Sequence, residues 1–371
     1  MASRYLVTGG AGFIGLHLCK ALLDAGDEVR VIDSLVPQVH GDSPNADAPL
    51  AGVDFIRDDI RNPDALRRAV KGVDGVFHLA AEVGVGQSMY EIVRYTGAND
   101  LGTAHLLEAL AADRCGRLVV ASSMSVYGEG WYETEGGEAV TQVRRDPARM
   151  RLGQWDPVGP GGVALKPVPT DEQKQTDLAS IYALTKYVQE RSTLIIGAAY
   201  DIEVVALRLF NVFGPGQALS NPYTGVLANF ASRLLHGQAP MIFEDGLQRR
   251  DFVHVRDVVQ AFMLAIKRPG LSQEVFNIGS GHSYTIAEVA NLLRQAMGRQ
   301  LPPPEILGKA RSGDIRHCFS DIGKARSILG YEPQHPLEAA LDELAAWVRV
   351  STAMDRGLNA RRELETRGLV A

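Results

Sequence analysis

Residues 8–15 read TGGAGFIG and decide the fold, because they follow a short apolar run and open a segment of helical period. In such a strand–turn–helix unit, Gly9 permits the tight turn, Gly12 lets the backbone approach a pyrophosphate, and Gly15 allows close packing of the helix on the strand. The helix N-terminus offers unpaired N–H groups to the phosphates. Glycine turns also occur for packing reasons alone, so the strand and helix context carries the prediction of a dinucleotide site.

Short apolar runs alternate with helical segments over residues 1–200. The runs predicted as buried strands are Arg4–Val7, Val29–Ile32, Val53–Ile56, Gly75–Ala80, Arg117–Ser122 and Glu203–Leu209. The helical segments include Phe13–Ala25, Pro63–Val70, Gly102–Ala112 and roughly Ser180–Ala199. Continuous apolar strands joined by helices predict a parallel sheet covered on both faces, so we expect an α/β fold with a Rossmann-type doubly wound parallel sheet.

Three regions are predicted along the chain. Residues 1–200 form the dinucleotide-binding domain, and residues 201–350 form mainly a smaller C-terminal α/β substrate-binding domain, with some segments returning to the first. Residues 351–371 form a charged, peripheral tail. The stretch 129–177 is rich in glycine, proline and charge and lacks periodicity. We interpret it as an inserted loop over the mouth of the active site, with a passive surface excursion as the alternative.

Composition excludes several classes of function. The net charge of -6 gives no electrostatic reason to expect nucleic acid or an anionic membrane as a partner. Cys19, Cys115 and Cys318 lie far apart without CxxC spacing, so neither a disulfide framework nor a cysteine-based metal site is expected. The chain shows no signal-peptide pattern and no apolar stretch that would span a bilayer. A soluble cytoplasmic enzyme or binding protein is the expectation.

Asp33 ends the second predicted strand, near the distance from the glycine turn at which a carboxylate binds the adenosine ribose hydroxyls. A carboxylate at this place repels a 2′-phosphate. The sequence therefore predicts NAD rather than NADP as the cofactor.

Tyr182 and Lys186 lie four residues apart in a helical segment, so their side chains project from one face. A tyrosine with a pKa of about 10 is a poor base at neutral pH, and a nearby ammonium lowers that pKa. Taken alone, the spacing also fits an ordinary amphipathic helix. Ser123, at the predicted carboxyl end of a strand, would face the same crevice and relay a proton, whereas Ser122 suits a structural role in the loop.

Together these motifs resemble the extended short-chain dehydrogenase/reductase family over nearly the whole chain to about Leu341, excluding the insertion. The motifs are residues 8–15, Asp33, Asp59-Ile60, His78-Leu79-Ala80-Ala81, Asn99, Ser123 with Val126-Tyr127-Gly128, Tyr182 with Lys186, residues 208–215 (RLFNVFGP), residues 250–255 (RDFVHV) and residues 311–314 (RSGD). The resemblance implies catalysis by Tyr182, Lys186 and Ser123.

The resemblance also implies binding roles. The cofactor-binding positions are Gly9, Gly12, Phe13, Ile14, Gly15, Asp33, Asp59, Ile60, Leu79, Ala80, Ala81, Asn99, Tyr182 and Lys186. Within this set, Asp59 and Ile60 would contact adenine, and Asn99 would support the nicotinamide side. The substrate-binding positions are Ser123, Ser125, Asn211, Arg250, Arg311 and Asp314. Arginine suits a diphosphate because its fork pairs with phosphate oxygens, although each arginine also fits a surface ion pair.

Met124 and Ser125 favour one reaction within the family. Members that resemble 4,6-dehydratases carry Asp and Glu at these two positions, and decarboxylating relatives commonly keep the Glu. Without a carboxylate at these positions, the remaining reaction of the family is inversion of a sugar carbon by oxidation and reduction. We therefore expect an NAD-dependent nucleotide-sugar 4-epimerase that acts through a 4-keto intermediate. A dehydratase, a decarboxylase and a net oxidoreductase are the alternatives.

Residues 216–225 and the insertion resemble a subgroup that includes thymidine-diphosphate-rhamnose 4-epimerases, some of which carry a cysteine pair in the insertion. This chain reads PVGPGG at residues 157–162, so the sugar stays open. UDP or dTDP is favoured over GDP as the nucleotide. By analogy with relatives, we expect a homodimer formed by the helices after Asn99 and around Tyr182.

Overall fold

Seven parallel strands form the central sheet of the protein. The structure is a computed structural model that describes residues 2–41, 50–140, 142–221, 223, 225–351 and 357–370. The strands are β1 (Arg4–Thr8), β2 (Glu28–Asp33), β3 (Val53–Arg57), β4 (Gly75–His78), β5 (Arg117–Ser123), β6 (Glu203–Leu209) and β7 (Glu274–Ile278). Within the segment 216–225 and the predicted tail, Pro222, Thr224, residues 352–356 and residue 371 lie outside the described residues.

The strands lie in the order β3-β2-β1-β4-β5-β6-β7, and every neighbouring pair is parallel. The chain order reverses between β1 and β4. In an open parallel sheet, a ligand crevice forms at such a reversal, outside the carboxyl ends of the strands. Thr8 of β1 pairs with His78 of β4, so the glycine turn leaves β1 at this crevice. The predicted doubly wound α/β fold is confirmed.

Helices connect the strands and cover the sheet. The α-helices of the described residues are α1 (Phe13–Asp24), α2 (Pro37–His40), α3 (Pro63–Ala69), α4 (Val85–Ser88), α5 (Ile92–Tyr95), α6 (Gly102–Ala112), α7 (Pro147–Arg151), α8 (Ile181–Tyr200), α9 (Val226–Leu235), α10 (Val255–Lys267), α11 (Ile286–Met297), α12 (Leu337–Val350) and α13 (Gly357–Thr366). Thr96–Leu101 and Ala325–Leu329 are π-helical, and Met124–Tyr127 and Pro160–Gly162 are 3₁₀-helical. Among these described helices, none has the length and apolar character needed to cross a membrane.

Successive residues of each central strand point to opposite faces of the sheet, as expected for strands that are buried on both sides. Val7 and Phe77 pack on one face, in the core that includes α1 and α10. Leu6 and Val76 pack on the other face, in the core that includes α3, α6 and α8. The two helical layers cover the faces of the sheet and leave its carboxyl edge for the crevice.

A second apolar core lies among α9, α11 and α12. Phe230, Leu293 and Leu344, one from each of these helices, are buried in it. The elements β6, α10 and β7 follow residue 201 in the chain, yet they belong to the layers of the central sheet. The division of the chain at residues 200 and 350 stays a prediction.

Short strands fix the loops outside the central sheet. Trp131–Glu133 lies between Ala139–Val140 and Lys166–Val168 in a three-stranded antiparallel sheet. Asn211–Phe213 pairs with Phe252–His254, Met241–Ile242 pairs with Glu305–Ile306, and Arg249–Arg250 lies between Tyr284–Thr285 and His317–Cys318. The three-stranded sheet gives the insertion 129–177 more regular structure than its lack of periodicity predicts.

Candidate active site

A cavity of about 1050 Å³ opens at the carboxyl ends of the central strands. All the predicted site residues except Asn99 line it. They are Gly9, Gly12, Phe13, Ile14, Gly15, Asp33, Asp59, Ile60, Leu79, Ala80, Ala81, Ser123, Ser125, Tyr182, Lys186, Asn211, Arg250, Arg311 and Asp314. Motifs that are far apart in the sequence therefore meet at one place. The individual roles of these residues stay predictions.

The glycine turn is tight for a reason that the backbone shows. Gly9 has a φ of +70°, and a Cβ there would lie 2.8 Å from backbone atoms of Ala80. A Cβ on Gly15 would lie 2.5 Å from the carbonyl oxygen of Gly9. Helix α1 then begins without an acidic residue in its first turn and without a side-chain cap. The free N–H groups at this helix end fit the pyrophosphate of a dinucleotide.

Asp33, at the end of β2, is positioned by the same turn. One of its carboxylate oxygens accepts a hydrogen bond from the backbone N–H of Ala11 at 3.0 Å, and the other accepts from that of Leu35 at 2.9 Å. The carboxylate therefore has a fixed orientation at the cavity wall. This arrangement fits the binding of ribose hydroxyls, because an ionised carboxylate accepts hydrogen bonds and donates none.

We expect the substitution Asp33→Asn to weaken NAD binding by about tenfold, since a hydrogen bond to a charged group is lost. The same variant should discriminate less between NAD and NADP, because the charge that repels a 2′-phosphate is gone. The control is Asp54→Asn, which removes an exposed carboxylate that pairs with Arg30 on the neighbouring strand. Fluorescence titration with both dinucleotides measures the effect. Unchanged NAD affinity in Asp33→Asn would contradict the assignment.

Thr8 holds the segment of the cavity wall that follows β4. Its Oγ1 accepts from the backbone N–H of Ala80 at 3.2 Å and hydrogen-bonds His78 Nδ1 at 2.8 Å. Burial lowers the pKa of His78 to about 3, and the charge of Lys186 acts in the same direction, so the imidazole is neutral. The segment from Leu79 to Ala81 is thus held at the cavity by a neutral, hydrogen-bonded support.

Asp59, which is predicted to contact adenine, belongs to an ion pair that the sequence did not indicate. Asp59 accepts from the Arg61 side chain at 2.6 and 2.9 Å, and this hydrogen bonding holds the pKa of Asp59 below its usual value. Ile60 is buried beneath this pair and contacts the position of Gly102. Asp59 thus lines the cavity with a carboxylate that already has a partner.

Asn99 is the predicted site residue that the structure does not bring to the cavity. Its amide exchanges two hydrogen bonds with the backbone of Glu82, at 2.7 and 3.1 Å, and donates to Thr185 Oγ1 at 2.9 Å. It therefore braces the loop after β4 against α8. Any support of the nicotinamide side by Asn99 would be indirect.

Ser123, Tyr182 and Lys186 meet where β5 ends against α8. Ser180 caps the helix, since its Oγ accepts from the backbone N–H of Ala183 at 3.1 Å. This cap fixes the start of α8. Tyr182 and Lys186 then lie one helical turn apart on the same face. Ser123 ends β5 next to Leu209 of β6. Strand pairing and helix capping thus place three side chains from distant parts of the sequence together.

The phenol of Tyr182 lines the cavity, as does Ser123. Burial raises the pKa of Tyr182, and the nearby hydroxyl of Ser123 lowers it by less. The net direction is opposite to the lowering expected from the ammonium of Lys186. Ser125 Oγ in turn donates to Ser123 Oγ at 3.0 Å. These hydroxyls form a chain that can hold a ligand oxygen and move its proton.

Lys186 is buried, and its Nζ donates to Gln189 Oε1 at 2.6 Å. Burial lowers the pKa of Lys186 to about 7, while the charge of Glu190 acts in the opposite direction. Gln189 Nε2 donates to Thr103 Oγ1 at 2.9 Å, which fixes the amide. Sequence reasoning missed Gln189, although its position three residues after Lys186 places both on one face of α8.

Arg250 is held by backbone carbonyls. Its Nη1 donates to the carbonyl oxygens of Arg249 and Arg316, at 2.9 and 2.8 Å, and its Nη2 donates to that of Ile315 at 2.6 Å. The Asp314 carboxylate lies 3.9 Å away. The guanidinium therefore has a fixed position at the cavity wall, which suits the binding of an anion.

Arg311 lies beside the same carboxylate. Its Nη2 is 2.8 Å from Asp314, and its guanidinium carbon lies 4.5 Å from the centre of the Phe243 ring. Burial raises the pKa of Asp314, but Arg311 and Arg250 outweigh this effect and lower it. Asp314 is thus an anion between two cations. A contact with a ribose, as predicted, would require its carboxylate to accept hydrogen bonds from the ribose while it stays paired with Arg250 and Arg311.

The insertion 129–177 packs beside this loop. Arg316 donates to Asp156 of the insertion at 2.7 Å, and Arg145 of the insertion forms a buried ion pair with Glu244. None of the residues described for the insertion lines the cavity. These ion pairs hold the insertion beside residues 314–317, and its position over the active-site mouth stays a prediction.

Two further features of the cavity escaped sequence reasoning. Helix α13, in the predicted tail, contributes Ala360, Arg361 and Leu364 to the wall. Ala360 and Leu364 are buried, and their spacing of four was the signal. Glu82 also lines the cavity, where its carboxylate accepts from Arg94 Nη2 at 2.8 Å. Its signal was a charged residue directly after the apolar residues 79–81 that follow β4.

The described side chains offer neither a reactive thiol nor a cluster of metal ligands. The three cysteines are free and buried, and burial raises the pKa of each thiol to about 12. Thiols in such surroundings are poor nucleophiles. Across the part of the chain that the structure describes, no cluster of three or more His, Cys, Asp or Glu side chains could hold a metal ion.

The motifs and their geometry agree with a comparison to protein families. Residues 5–148 and 158–279 match the NAD-dependent epimerase/dehydratase family. The chain belongs to that family. Because the family is NAD-dependent, the predicted cofactor NAD is confirmed. The glycine turn and Asp33 are the residues whose geometry fits it.

Relatives within the NAD-dependent epimerase/dehydratase family differ in their reactions. A dTDP-L-rhamnose 4-epimerase from Burkholderia thailandensis is 32% identical over 349 residues, which cover 93% of this chain and 94% of the relative. A UDP-N-acetyl-alpha-D-glucosaminuronate decarboxylase from Bacillus cytotoxicus is 28% identical over 354 residues, covering 94% and 98%. The crystal structure of a UDP-glucose 4-epimerase from Thermus thermophilus, in complex with NAD, matches with a TM-score of 0.75 at 29% identity, covering 94% of this chain and 100% of that one.

Proposed function

We propose that the protein is an NAD-dependent nucleotide-sugar 4-epimerase that inverts C4 of the sugar through a 4-keto intermediate. The end of β5 carries this proposal. Ser123 lines the cavity there together with Tyr182, and the two residues after Ser123 are Met124 and Ser125. Elimination or decarboxylation would use an acid–base carboxylate at these positions, and neither side chain supplies one. Met124 is buried, and its Sδ accepts from Asn211 Nδ2 at 3.6 Å.

Bound NAD supplies the acceptor and then the donor of the hydride at C4 of the sugar. Tyr182 Oη removes the proton of the 4-hydroxyl, while Ser123 Oγ holds the same oxygen. The cation of Lys186, one turn away on α8, stabilises the phenolate. After the ketone has turned and presents its other face, Tyr182 Oη returns the proton to the oxygen. Ser125 keeps Ser123 oriented throughout, through its 3.0 Å hydrogen bond.

The two arginines at the far end of the cavity anchor the substrate. Arg250 and Arg311 bind the diphosphate, so the ketone can turn about that linkage without leaving the site. Phe243, beneath Arg311, offers a flat apolar surface to the base. The names of the two 4-epimerase relatives contain UDP and dTDP, which favours these nucleotides over GDP in this chain as well. Asn211 borders the same end of the cavity as a further polar contact.

The competing reaction is decarboxylation or dehydration, as the decarboxylase relative indicates. Such a reaction would need an acid–base carboxylate in the cavity. Glu82 lines the cavity after β4, but its carboxylate is paired with Arg94. The test incubates the purified protein with a panel of UDP, dTDP and GDP sugars and resolves the C4 epimers by chromatography. Epimers without accumulation of NADH or release of CO₂ support the proposal. A 4-keto-6-deoxy product, a pentose or net NADH would overturn it.

We propose that the protein forms a homodimer through α6, which follows Asn99, and α8, which carries Tyr182. Leu101, directly before α6, and Ile195, on α8, are apolar yet 49% and 58% exposed. Burying these side chains against a second copy would remove them from water. We expect Ile195→Glu to convert a dimer into a monomer in light scattering, because a charge would be buried. The control Val350→Glu changes a more exposed apolar residue on α12, and its mass should match the wild type; a wild-type monomer would refute the proposal.

We also propose a cytoplasmic location. The three cysteines are unpaired, which suits a reducing compartment. Recovery of the protein in the membrane or secreted fraction of the cell would contradict this proposal.

A further inference from the structure

We propose that helix α13 completes the nucleotide end of the substrate site and that Arg361 binds the nucleoside diphosphate there. This inference rests on the proposed function and extends it, because it places a substrate contact in the predicted tail. Ala360, Arg361 and Leu364 line the same cavity as the catalytic residues. Leu364 is buried against the position of Gly86 in α4, so the helix is packed into the wall.

Arg361 lies at the end of the cavity that is suited to a nucleotide. Its Nη1 is 3.5 Å from the Sδ of Met241, which precedes Phe243 on the same wall. Phe243 in turn lies beneath the guanidinium of Arg311 at 4.5 Å. An apolar surface flanked by two guanidinium groups can hold a flat base together with its phosphates. The side chain of Arg361 is therefore a second cation at this surface.

The hydrogen-bonding capacity of Arg361 leaves room for a ligand. A guanidinium has five N–H donors. The Nε of Arg361 donates to Glu365 at 3.0 Å, and the thioether of Met241 is a weak acceptor. The side chain is 24% exposed, and it faces the cavity. Its remaining donors can thus pair with phosphate oxygens or with the carbonyl oxygens of a pyrimidine.

Helix α13 and the residues after it are tied to two distant segments of the chain. Glu363 accepts from Tyr90 Oη at 2.9 Å, between α4 and α5. The backbone N–H of Ser312 donates to the carbonyl oxygen of Leu369 at 2.8 Å, directly beside Arg311. These contacts fix the helix that carries Arg361 and link it to the Arg311 loop.

The test compares Arg361→Ala with Arg362→Ala, which removes an exposed arginine from the next position of the same helix. Each protein, with NAD bound, is titrated calorimetrically with UDP and with dTDP. We expect Arg361→Ala to bind the nucleotides about tenfold more weakly, because a charge-assisted contact is lost, and Arg362→Ala to bind like the wild type. In turnover, Arg361→Ala should raise KM and leave kcat unchanged. Glu365 keeps Lys309 as a partner at 3.1 Å, which limits the effect on folding.

Arg361→Lys provides a second variant, because it keeps the charge and loses the planar fork. It is expected to bind nucleotide more tightly than Arg361→Ala and less tightly than the wild type. Equal nucleotide affinity in Arg361→Ala and Arg362→Ala would overturn the role of Arg361 even if the wild type inverts C4. A wild type that binds neither nucleotide would overturn the proposed function and this inference together.

Discussion

Tyr182→Phe is expected to lower the rate of C4 inversion by on the order of 10²–10⁴-fold while NAD stays bound, because the substitution removes the proton-transfer group and keeps the ring. The Tyr182 ring packs edge-on against Tyr95, with 6.5 Å between centroids, and phenylalanine preserves this contact. The loss should therefore appear in kcat and leave the fold intact. Turnover of the nucleotide sugar and the NAD content of the purified variant are the two measurements.

Tyr187→Phe is the matched control for this experiment. It removes the hydroxyl of another tyrosine on α8, which packs against the apolar cluster of Tyr127 and Phe210. We expect it to retain the wild-type rate. A Tyr182→Phe enzyme as active as Tyr187→Phe would remove Tyr182 from the proposed mechanism and would leave the membership of the family untouched.

Arg316→Met should cause the largest loss of stability. Arg316 is 1% exposed and donates to Asp156 at 2.7 Å, to Glu244 at 2.9 Å and to Asp245 at 2.6 and 2.9 Å. Methionine fills much of the space but leaves the buried Glu244 with less compensating charge. Removal of one partner from a buried ion pair costs about 3–5 kcal/mol, and the partial exposure of Asp156 and Asp245 favours the lower end.

Urea denaturation of Arg316→Met and Arg144→Met measures this difference. Arg144 belongs to the insertion that Arg316 holds, but its side chain is 77% exposed in its pair with Asp177. An exposed ion pair of this kind contributes less than about 1 kcal/mol. If both variants lose the same free energy of unfolding, the buried ion pairs do not stabilise the insertion as the structure indicates.

The central sheet and the glycine turn were predictable because their signals are local. Burial of β1 and β4 on both faces follows from their continuous apolar runs, and Gly9 is required by a backbone with φ of +70°. The spacing of Tyr182 and Lys186 is likewise a property of one helix. Such features depend on residues that are close in sequence, so periodicity and turn chemistry are sufficient to find them.

Long-range contacts explain what the sequence could not supply. The rise in the pKa of Tyr182 comes from burial by the assembled fold, which no spacing within α8 reveals. Asn99 faces Glu82 instead of the cavity, because the chain after β4 folds back over it. The insertion is held by Arg316, which lies far along the chain from its partner Asp156. In each case, the deciding partner is distant in sequence.

Residues 311–317 contact both the cavity and the insertion. Arg311 and Asp314 face the cavity, while Arg316, a few residues on, holds the insertion. A change in Asp156 would remove a partner of Arg316, which lies two residues after the cavity-lining Asp314. Substitutions in the insertion can thus act close to the cavity while every cavity-lining residue stays the same. Comparisons limited to cavity residues would overlook this source of variation, and inherited changes in the insertion are where to look for it.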